Sequence, residues 1–263
     1  MIAEFKNPDS VILPLKFTFV DEVGADAAAP HAYSAFWSDF FACVAEGEEA
    51  RVPAYIHMWQ EEEWKSVGRI LVKGYADHKY FPLHLAPAFT VKLIFGEHSF
   101  TSDILFGSFL LYLSQSERDL VSAALQGALE EDDSNDVLDL LNRMKVKAIP
   151  SQENLKPILL QGDHKELIQK PKYALGSMSY VSRAIFRRLF NEAEKMFAEK
   201  KPTTRKVLKL LQASLSTKEE DQSLKYLQQH IRGLDDASLR KMLRFMTGSD
   251  VICVEQVKIE FSS

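Results

Sequence analysis

The segment from Leu234 to Ser249 constrains the fold more than any other stretch, because it carries a complete set of helix signals. Asp235 or Asp236 can cap its start, since a short carboxylate accepts hydrogen bonds from free backbone N–H groups. Gly248 can end it, because glycine adopts the left-handed cap conformation at little cost. Apolar residues recur at i, i+3, i+4 and i+7, on one helix face: Leu239, Met242, Leu243 and Met246. We therefore predict a capped helix, followed by a strand over the alternating residues 257–261.

The composition limits the class of protein. The chain has 263 residues, of which 46% are hydrophobic, enough for one large domain or two ordinary ones. Its formal net charge of −5 argues against general nucleic-acid binding, which usually needs a basic surplus. No run approaches the roughly 18 apolar residues of a membrane span, and residues 1–8 lack the apolar core of a signal peptide. We therefore expect a soluble cytoplasmic or nuclear protein that binds neither nucleic acid nor membrane.

Most of the remaining chain has the periodicity of helices. Gly68 and Gly74 interrupt one of these patterns, which indicates close helix packing or, at Gly74, a helix end. Residues 148–157 are a candidate loop or linker. Helices are predicted over residues 33–44, 61–75, 104–113, 116–129, 137–144, 180–200 and 207–215, and from Pro87 to Phe95, with a strand over 11–20. The predicted fold class is α+β, mostly helical.

No motif of a common catalytic or cofactor site occurs. The sequence has no phosphate-binding glycine loop, no G-x-S-x-G nucleophile elbow and no H-E-x-x-H zinc motif. Its seven histidines are spaced so that no two share one helix face. The acidic clusters at 61–63 and 130–133 are typical of solvated helix ends, without the burial that raises a carboxyl pKa. We therefore predict no catalytic residue, no cofactor and no metal in this chain.

The two cysteines are Cys43 and Cys253. Two cysteines do not make a disulfide framework, and this usage favours a reducing compartment. A catalytic cysteine needs partial exposure and a pKa lowered by a cation, a histidine or a helix N-terminus. Cys43 lies in the aromatic segment and resembles a small core residue. Cys253 lies between Ile252 and Val254, which we expect to be part of the terminal strand, and it has no adjacent basic residue. We therefore expect both thiols to be structural.

Three separated motifs occur in a specific order along the chain. Residues 17–41 combine a predicted strand, an E-x-G-x-D turn and an aromatic helix. Residues 67–71 read Val-Gly-Arg-Ile-Leu and are followed by Tyr-Phe-Pro-Leu at 80–83 and an apolar segment at 89–96. Residues 243–249 read Leu-Arg-Phe-Met-Thr-Gly-Ser. Together these motifs resemble the HECT domain of ubiquitin-protein ligases, and they are closest to its divergent members.

The sequence also departs from the family pattern. Glu22, Gly24 and Asp26 match the family's E-x-G-x-D-x-G-G turn, whereas alanines stand at the positions of its last two glycines, Ala28 and Ala29. The Arg-Glu pair that normally follows is missing. Residues 110–222 match the family poorly. The resemblance therefore covers both ends of the chain and leaves its middle open.

The resemblance implies a large HECT-like N-lobe over residues 1–222 and an incomplete small C-lobe over residues 223–263. In the family, a cysteine takes ubiquitin from a conjugating enzyme as a thioester and passes it to a substrate lysine. That cysteine follows the T-G-S helix and further strands, usually after His-Thr, and Cys253 lies too close behind Ser249 to match it. The expected partners are a ubiquitin-conjugating enzyme and ubiquitin, with an unknown protein substrate.

Three functions stay open. The first is a HECT-type ubiquitin-protein ligase region whose nucleophile is absent from this chain, either a fragment or a naturally shortened protein. The second is a catalytically inactive HECT-like module that binds a conjugating enzyme or a substrate. The third is a helical interaction protein with accidental matches. The first two predict no ubiquitin thioester on Cys43 or Cys253, and a strand ending at Phe261 without its sheet neighbours.

Overall fold

Helices dominate the architecture. The computed structural model describes residues 1–17, 29–96, 101–128, 133–151, 153–189 and 193–261. The α-helices are α1 (Ala29–Cys43), α2 (Glu61–His78), α3 (Pro87–Phe95), α4 (Ser102–Tyr112), α5 (Gln115–Gln126), α6 (Asp133–Arg143), α7 (Leu155–His164), α8 (Lys172–Leu189), α9 (Ala193–Lys200), α10 (Thr204–Leu210), α11 (Lys218–Arg232) and α12 (Asp236–Thr247). The strands are β1 (Ala45–Glu46), β2 (Val52–Pro53), β3 (Leu211–Ala213) and β4 (Val257–Ile259). The predicted class, α+β and mostly helical, is confirmed.

The chain divides into two compact units, and each unit combines segments that are distant in sequence. Unit 1 contains residues 1–8, 39–69 and 84–194, and unit 2 contains residues 9–38, 70–83 and 195–263. The predicted N-lobe and C-lobe are two continuous ranges that meet at residue 222, whereas each unit combines several segments. The lobe boundary therefore stays a prediction. Within the described ranges, no helix combines the length and the apolar character that crossing a lipid bilayer requires.

In unit 1, side chains of α8 cap the C-terminal end of α3. The last carbonyl groups of a helix have no donors within the helix itself. Arg183 donates through Nε to the Leu93 carbonyl (3.2 Å) and through Nη2 to the Lys92 carbonyl (3.2 Å). Arg187 donates through Nη2 to the Phe95 carbonyl (2.7 Å). These two arginines therefore help to fix the point at which α3 ends. Three apolar side chains of α3 are fully buried: Phe89, Leu93 and Ile94.

The glycines of α2 allow close packing. A Cβ atom on Gly68 would lie 2.6 Å from Cγ2 of Val181 and 2.9 Å from the carbonyl oxygen of Met178, both in α8. A Cβ atom on Gly74 would lie 3.0 Å from the ring of Tyr33. Glycine permits these approaches because it has no side chain. Since α2 continues as far as His78, close packing is the correct interpretation and a helix end at Gly74 is wrong.

The core of unit 2 gathers α10, α11 and α12. Its buried members are Val207, Leu210, Ile231, Leu239 and Leu243. The caps of α12 are those that the sequence predicts. The Asp235 carboxylate accepts from the Ser238 N–H (2.7 Å). Gly248 takes a left-handed φ of 76°, and its N–H donates to the Arg244 carbonyl (2.8 Å). The capped, amphipathic character of this helix is therefore confirmed.

The terminal strand has a partner. β4 pairs in parallel with β3, with Leu211 opposite Val257 and Ala213 opposite Ile259. α11 and α12 form the long crossover that a parallel pair requires. The helix predicted over 207–215 is therefore wrong after Leu210, because strand pairing overrides the local helical pattern. We expected the last strand to lack its sheet neighbours. This expectation is wrong for the edge of β4 that pairs with β3.

Three other predicted elements need correction. The strand over 11–20 is absent from residues 11–17, where Pro8–Val11 forms a 3₁₀ turn and Pro14 lacks the N–H that strand pairing uses. Its last residues, and the E-x-G-x-D turn after it, lie outside the described residues. Within the helix predicted over 180–200, α8 extends to Leu189 and α9 starts at Ala193, residues 190–192 lie outside the described residues, and α8 begins earlier than predicted. The predicted loop 148–157 is too long, because α7 starts at Leu155.

Candidate functional site

The turn after α12 is held by its own hydroxyl groups. Thr247 Oγ1 donates to the Leu243 carbonyl (2.8 Å) and accepts from the Ser249 N–H (3.2 Å). Ser249 Oγ donates to the Val251 carbonyl (3.0 Å), and Ser249 is fully buried. A buried hydroxyl group needs such partners, because leaving it unpaired is costly. In this chain the Thr-Gly-Ser sequence therefore ends a helix and turns the backbone.

Asp250 fastens this turn to two other segments of unit 2. Its Oδ1 accepts from Ser34 Oγ of α1 (3.0 Å) and from the Tyr80 hydroxyl group (3.1 Å). Ser34 and Tyr80 are only 1% and 2% exposed, so water cannot replace the carboxylate as their acceptor. Burial, and then the charge of Asp250, raise the pKa of Tyr80 well above its ordinary value. The phenol therefore remains a donor, and the Ser34–Tyr80–Asp250 cluster is a buried anchor.

Cys253 follows the turn, but its surroundings do not activate the thiol. Its Sγ lies 3.3 Å from Ser249 Oγ. Burial raises the pKa of the Cys253 thiol to about 11, although the Ser249 hydroxyl group and the Lys200 ammonium act in the opposite direction. The Lys200 ammonium is itself held, since Nζ donates to the Ile252 carbonyl (3.2 Å). A nucleophilic cysteine needs a lowered pKa, so this thiol is protonated at neutral pH. It also precedes β4 and does not lie within it.

The predicted core position of Cys43 is wrong. Cys43 is the last residue of α1 and is exposed. The aromatic side chains that fix α1 in the core end two residues earlier, at Phe41. The final turn of the helix therefore reaches the surface.

In the part of the chain that the structure describes, no group of three or more His, Cys, Asp or Glu side chains could hold a metal ion.

An exposed aromatic surface lies on α8 in unit 1. Tyr173 and Tyr180 are 51% and 79% exposed, and a spacing of seven residues puts them on the same helix face. Gly176 lies between them, and a Cβ atom there would meet nothing within 4 Å. The two tyrosines thus flank a depression, with a cavity volume of about 570 Å³, whose lining includes Ser177. We call the surface formed by Tyr173, Gly176, Ser177 and Tyr180 the tyrosine saddle.

Charged side chains border the tyrosine saddle. The Lys65 ammonium lies 4.9 Å from the centre of the Tyr180 ring and pairs with the Glu61 carboxylate (2.8 Å). At the other end, Lys170 pairs with two carboxylates. Lys172 is exposed and pairs with no carboxylate among the described residues. Exposed tyrosines beside a concave surface are typical of protein-binding sites, where Tyr is among the residues that contribute most to affinity.

The sequence indicates the turn after α12, but it does not indicate the tyrosine saddle. The Thr-Gly-Ser motif is visible in the sequence, but its attachment through Asp250 to Ser34 and Tyr80 is not. The spacing of Tyr173 and Tyr180 is equally typical of a buried helix face. The residues between the two tyrosines do not separate the two cases, because polar Ser177 is buried like apolar Leu175.

Comparison of the chain with known protein families and with curated proteins finds no match. The fold and the sites define a mostly helical α+β protein with a buried anchor in unit 2 and an aromatic surface in unit 1. The resemblance to the HECT domain rests on the sequence motifs. Those motifs and the two sites are therefore the features that bear on the function.

Proposed function

We propose that this chain is a HECT-like region of a ubiquitin-protein ligase, and that neither Cys43 nor Cys253 is the nucleophile. The proposal rests on the order and separation of the motifs at 17–41, 67–83 and 243–249. The mostly helical α+β fold and the tightly hydrogen-bonded turn after α12 are compatible with it. In this function the chain binds a ubiquitin-conjugating enzyme that carries ubiquitin as a thioester.

The chemistry of transfer argues against the two thiols as the nucleophile. A thiolate attacks the thioester carbonyl carbon, and the thiol of the conjugating enzyme leaves as the new thioester forms. With a pKa of about 11, only about one Cys253 thiol in ten thousand is ionised at pH 7. Cys43 lies in α1, far upstream of the T-G-S helix that the nucleophile follows in the HECT family. Ubiquitin transfer by this region therefore requires a cysteine other than these two.

The second candidate function is a HECT-like module that binds a conjugating enzyme or a substrate without catalysis. The tyrosine saddle favours it, because the saddle offers rigid aromatic contact area beside an open depression. Tyrosine buries a large area at a small loss of conformational entropy. Both candidate functions thus require a protein partner. They differ in whether the bound conjugating enzyme transfers its ubiquitin to a cysteine nucleophile.

Filling the depression is expected to weaken partner binding. Gly176→Gln places a side chain between Tyr173 and Tyr180, and we expect at least about tenfold weaker binding to a conjugating enzyme, or about 1.4 kcal/mol. Replacing a helical glycine should not destabilise α8, since glycine is itself unfavourable there by about 0.5–1 kcal/mol. The measurement is biolayer interferometry of the whole chain against a panel of purified ubiquitin-conjugating enzymes. Gly107→Gln is the matched control, because Gly107 in α4 has equally open surroundings.

Two outcomes separate the parts of this proposal. If no conjugating enzyme binds at concentrations up to about 1 mM, a free energy near 4 kcal/mol, the HECT-like function is contradicted. If an enzyme binds and Gly176→Gln has no more effect than Gly107→Gln, the tyrosine saddle is not the contact surface. In that second case the proposed function stands and another surface must carry it.

A further inference from the structure

A second groove lies in unit 1, between α5 and α6. Its volume is about 600 Å³. Apolar side chains line part of it: Leu120, Ala123 and Leu140. Exposed carboxylates line the rest: Asp119, Asp136 and Asp139. We call this surface, defined by these six residues, the acidic groove.

The charge of the acidic groove is not compensated. Arg143, the cation that lines the groove, pairs with Glu117. Asp119 accepts only from the neutral amide of Gln115 (2.8 Å) among the described residues. Neither Asp136 nor Asp139 forms an ion pair within the part of the chain that the structure describes. The groove therefore retains three negative charges beside an apolar floor.

The arrangement of the carboxylates selects the kind of ligand. They do not converge on a point, since no described group of acidic side chains could hold a metal ion. Asp136 and Asp139 lie three residues apart on α6, and Asp119 lies on α5. Separated charges on two helices, with apolar residues among them, suit a ligand that is both elongated and amphipathic. A helix with one apolar face and lysine or arginine along its edges has these properties.

We propose that the acidic groove binds a cationic amphipathic helix of a partner protein. The apolar face of the partner helix packs on Leu120, Ala123 and Leu140. Its lysine or arginine side chains pair with the carboxylates of Asp119, Asp136 and Asp139. Opposite charges favour the encounter and set the orientation of the partner. The proposal does not depend on the ubiquitin-related function, because it uses a different surface and different chemistry.

The test measures binding of a fluorescein-labelled, Leu- and Lys-rich amphipathic helical peptide of about 18 residues, or about 27 Å, by fluorescence anisotropy. Asp136→Asn/Asp139→Asn should weaken binding about fivefold, because each exposed ion pair contributes only about 0.2–1 kcal/mol. Glu219→Gln/Glu255→Gln is the control, since it removes the same charge from exposed positions of unit 2. We expect the control to bind within about twofold of the unchanged chain, given this small contribution per charge.

Three results would overturn the proposal. One is the absence of saturable binding to the unchanged chain. Another is an equal loss of affinity in both double variants, which would mean that only the overall charge attracts the peptide. The third is full binding by Asp136→Asn/Asp139→Asn. Circular dichroism of each variant shows whether it remains folded. Leu120→Gln is a second variant, which tests the apolar floor of the acidic groove without changing its charge.

Discussion

Asp163 is expected to make the chain unfold more easily as the pH rises from 4 to 7, and Asp163→Asn should remove this contribution. Asp163 lies in α7 and is completely buried. Neither of its carboxylate oxygens accepts a hydrogen bond from another described residue. Burial, which outweighs its own backbone N–H, raises the pKa of Asp163 to about 7. An ionised carboxylate in this position is therefore a large destabilising element.

The direction follows from the two protonation states. Below pH 3.8, the ordinary pKa, the carboxyl group is protonated in both folded and unfolded chains. Between that pH and about 7, the unfolded chain ionises while the folded chain retains the proton, so each pH unit lowers the free energy of unfolding by about 1.4 kcal/mol. Above the folded pKa both states are ionised and the loss is constant. The total is on the order of 4 kcal/mol.

Urea unfolding at pH 5 and pH 8 measures this effect. We expect Asp163→Asn to exceed the unchanged chain by several kcal/mol at pH 8 and by clearly less at pH 5. The comparison is made at equal pH because depressed pKa values of other carboxyl groups, such as Glu117 and Asp235, act in the opposite direction. Asp119→Asn, a change at an exposed position, should leave the pH dependence intact. The same pH dependence in Asp163→Asn as in the unchanged chain would contradict the assignment.

Loss of the Asp250 carboxylate is the second change with a large expected effect. Asp250→Ala removes the acceptor of two buried donors, Ser34 Oγ and the Tyr80 hydroxyl group. An unsatisfied buried polar group costs about 1–3 kcal/mol, so we expect a loss of about 3 kcal/mol in the free energy of unfolding. Asp221→Ala, which breaks an exposed pair with Lys225, should cost less than about 1 kcal/mol.

A double-mutant cycle identifies the cause of that loss. Tyr80→Phe removes one donor and leaves the buried ring in place, so its combination with Asp250→Ala should be less destabilising than the sum of the two changes. We expect a coupling free energy of at least about 1 kcal/mol from urea unfolding. Strict additivity would mean that the hydrogen bond between Tyr80 and Asp250 does not hold the turn.

The elements that the sequence predicts well are those whose signals are local. α12 is bounded by Asp235 and Gly248, which act on the backbone within four residues of themselves. α3 begins at Pro87 for a similar reason, since proline fits the first turn of a helix. By contrast, β3 exists because it pairs with β4, which lies two helices further along the chain. Local periodicity carries no information about that partner, and the sequence therefore predicts a helix there.

The candidate sites depend on packing that the sequence does not specify. Tyr173 and Tyr180 are exposed because the opposite face of α8 packs in the core of unit 1. Asp163 lies between a glycine and a histidine and has no unusual neighbours in the sequence. Its burial results from the packing of α7, and only the structure reveals it. Motifs thus locate the turn after α12, whereas exposure and burial identify the tyrosine saddle and the buried carboxyl group.

The most direct test is a charging reaction with activating enzyme, conjugating enzyme, ubiquitin and the unchanged chain, analysed by non-reducing gel electrophoresis. We expect no ubiquitin adduct that a reducing agent removes, because the Cys253 thiol is protonated and Cys43 lies far upstream of the T-G-S helix that the nucleophile follows in the HECT family. A reductant-sensitive adduct that disappears in Cys43→Ser or Cys253→Ser would contradict this. It would show that one of these cysteines is the nucleophile of a ubiquitin ligase.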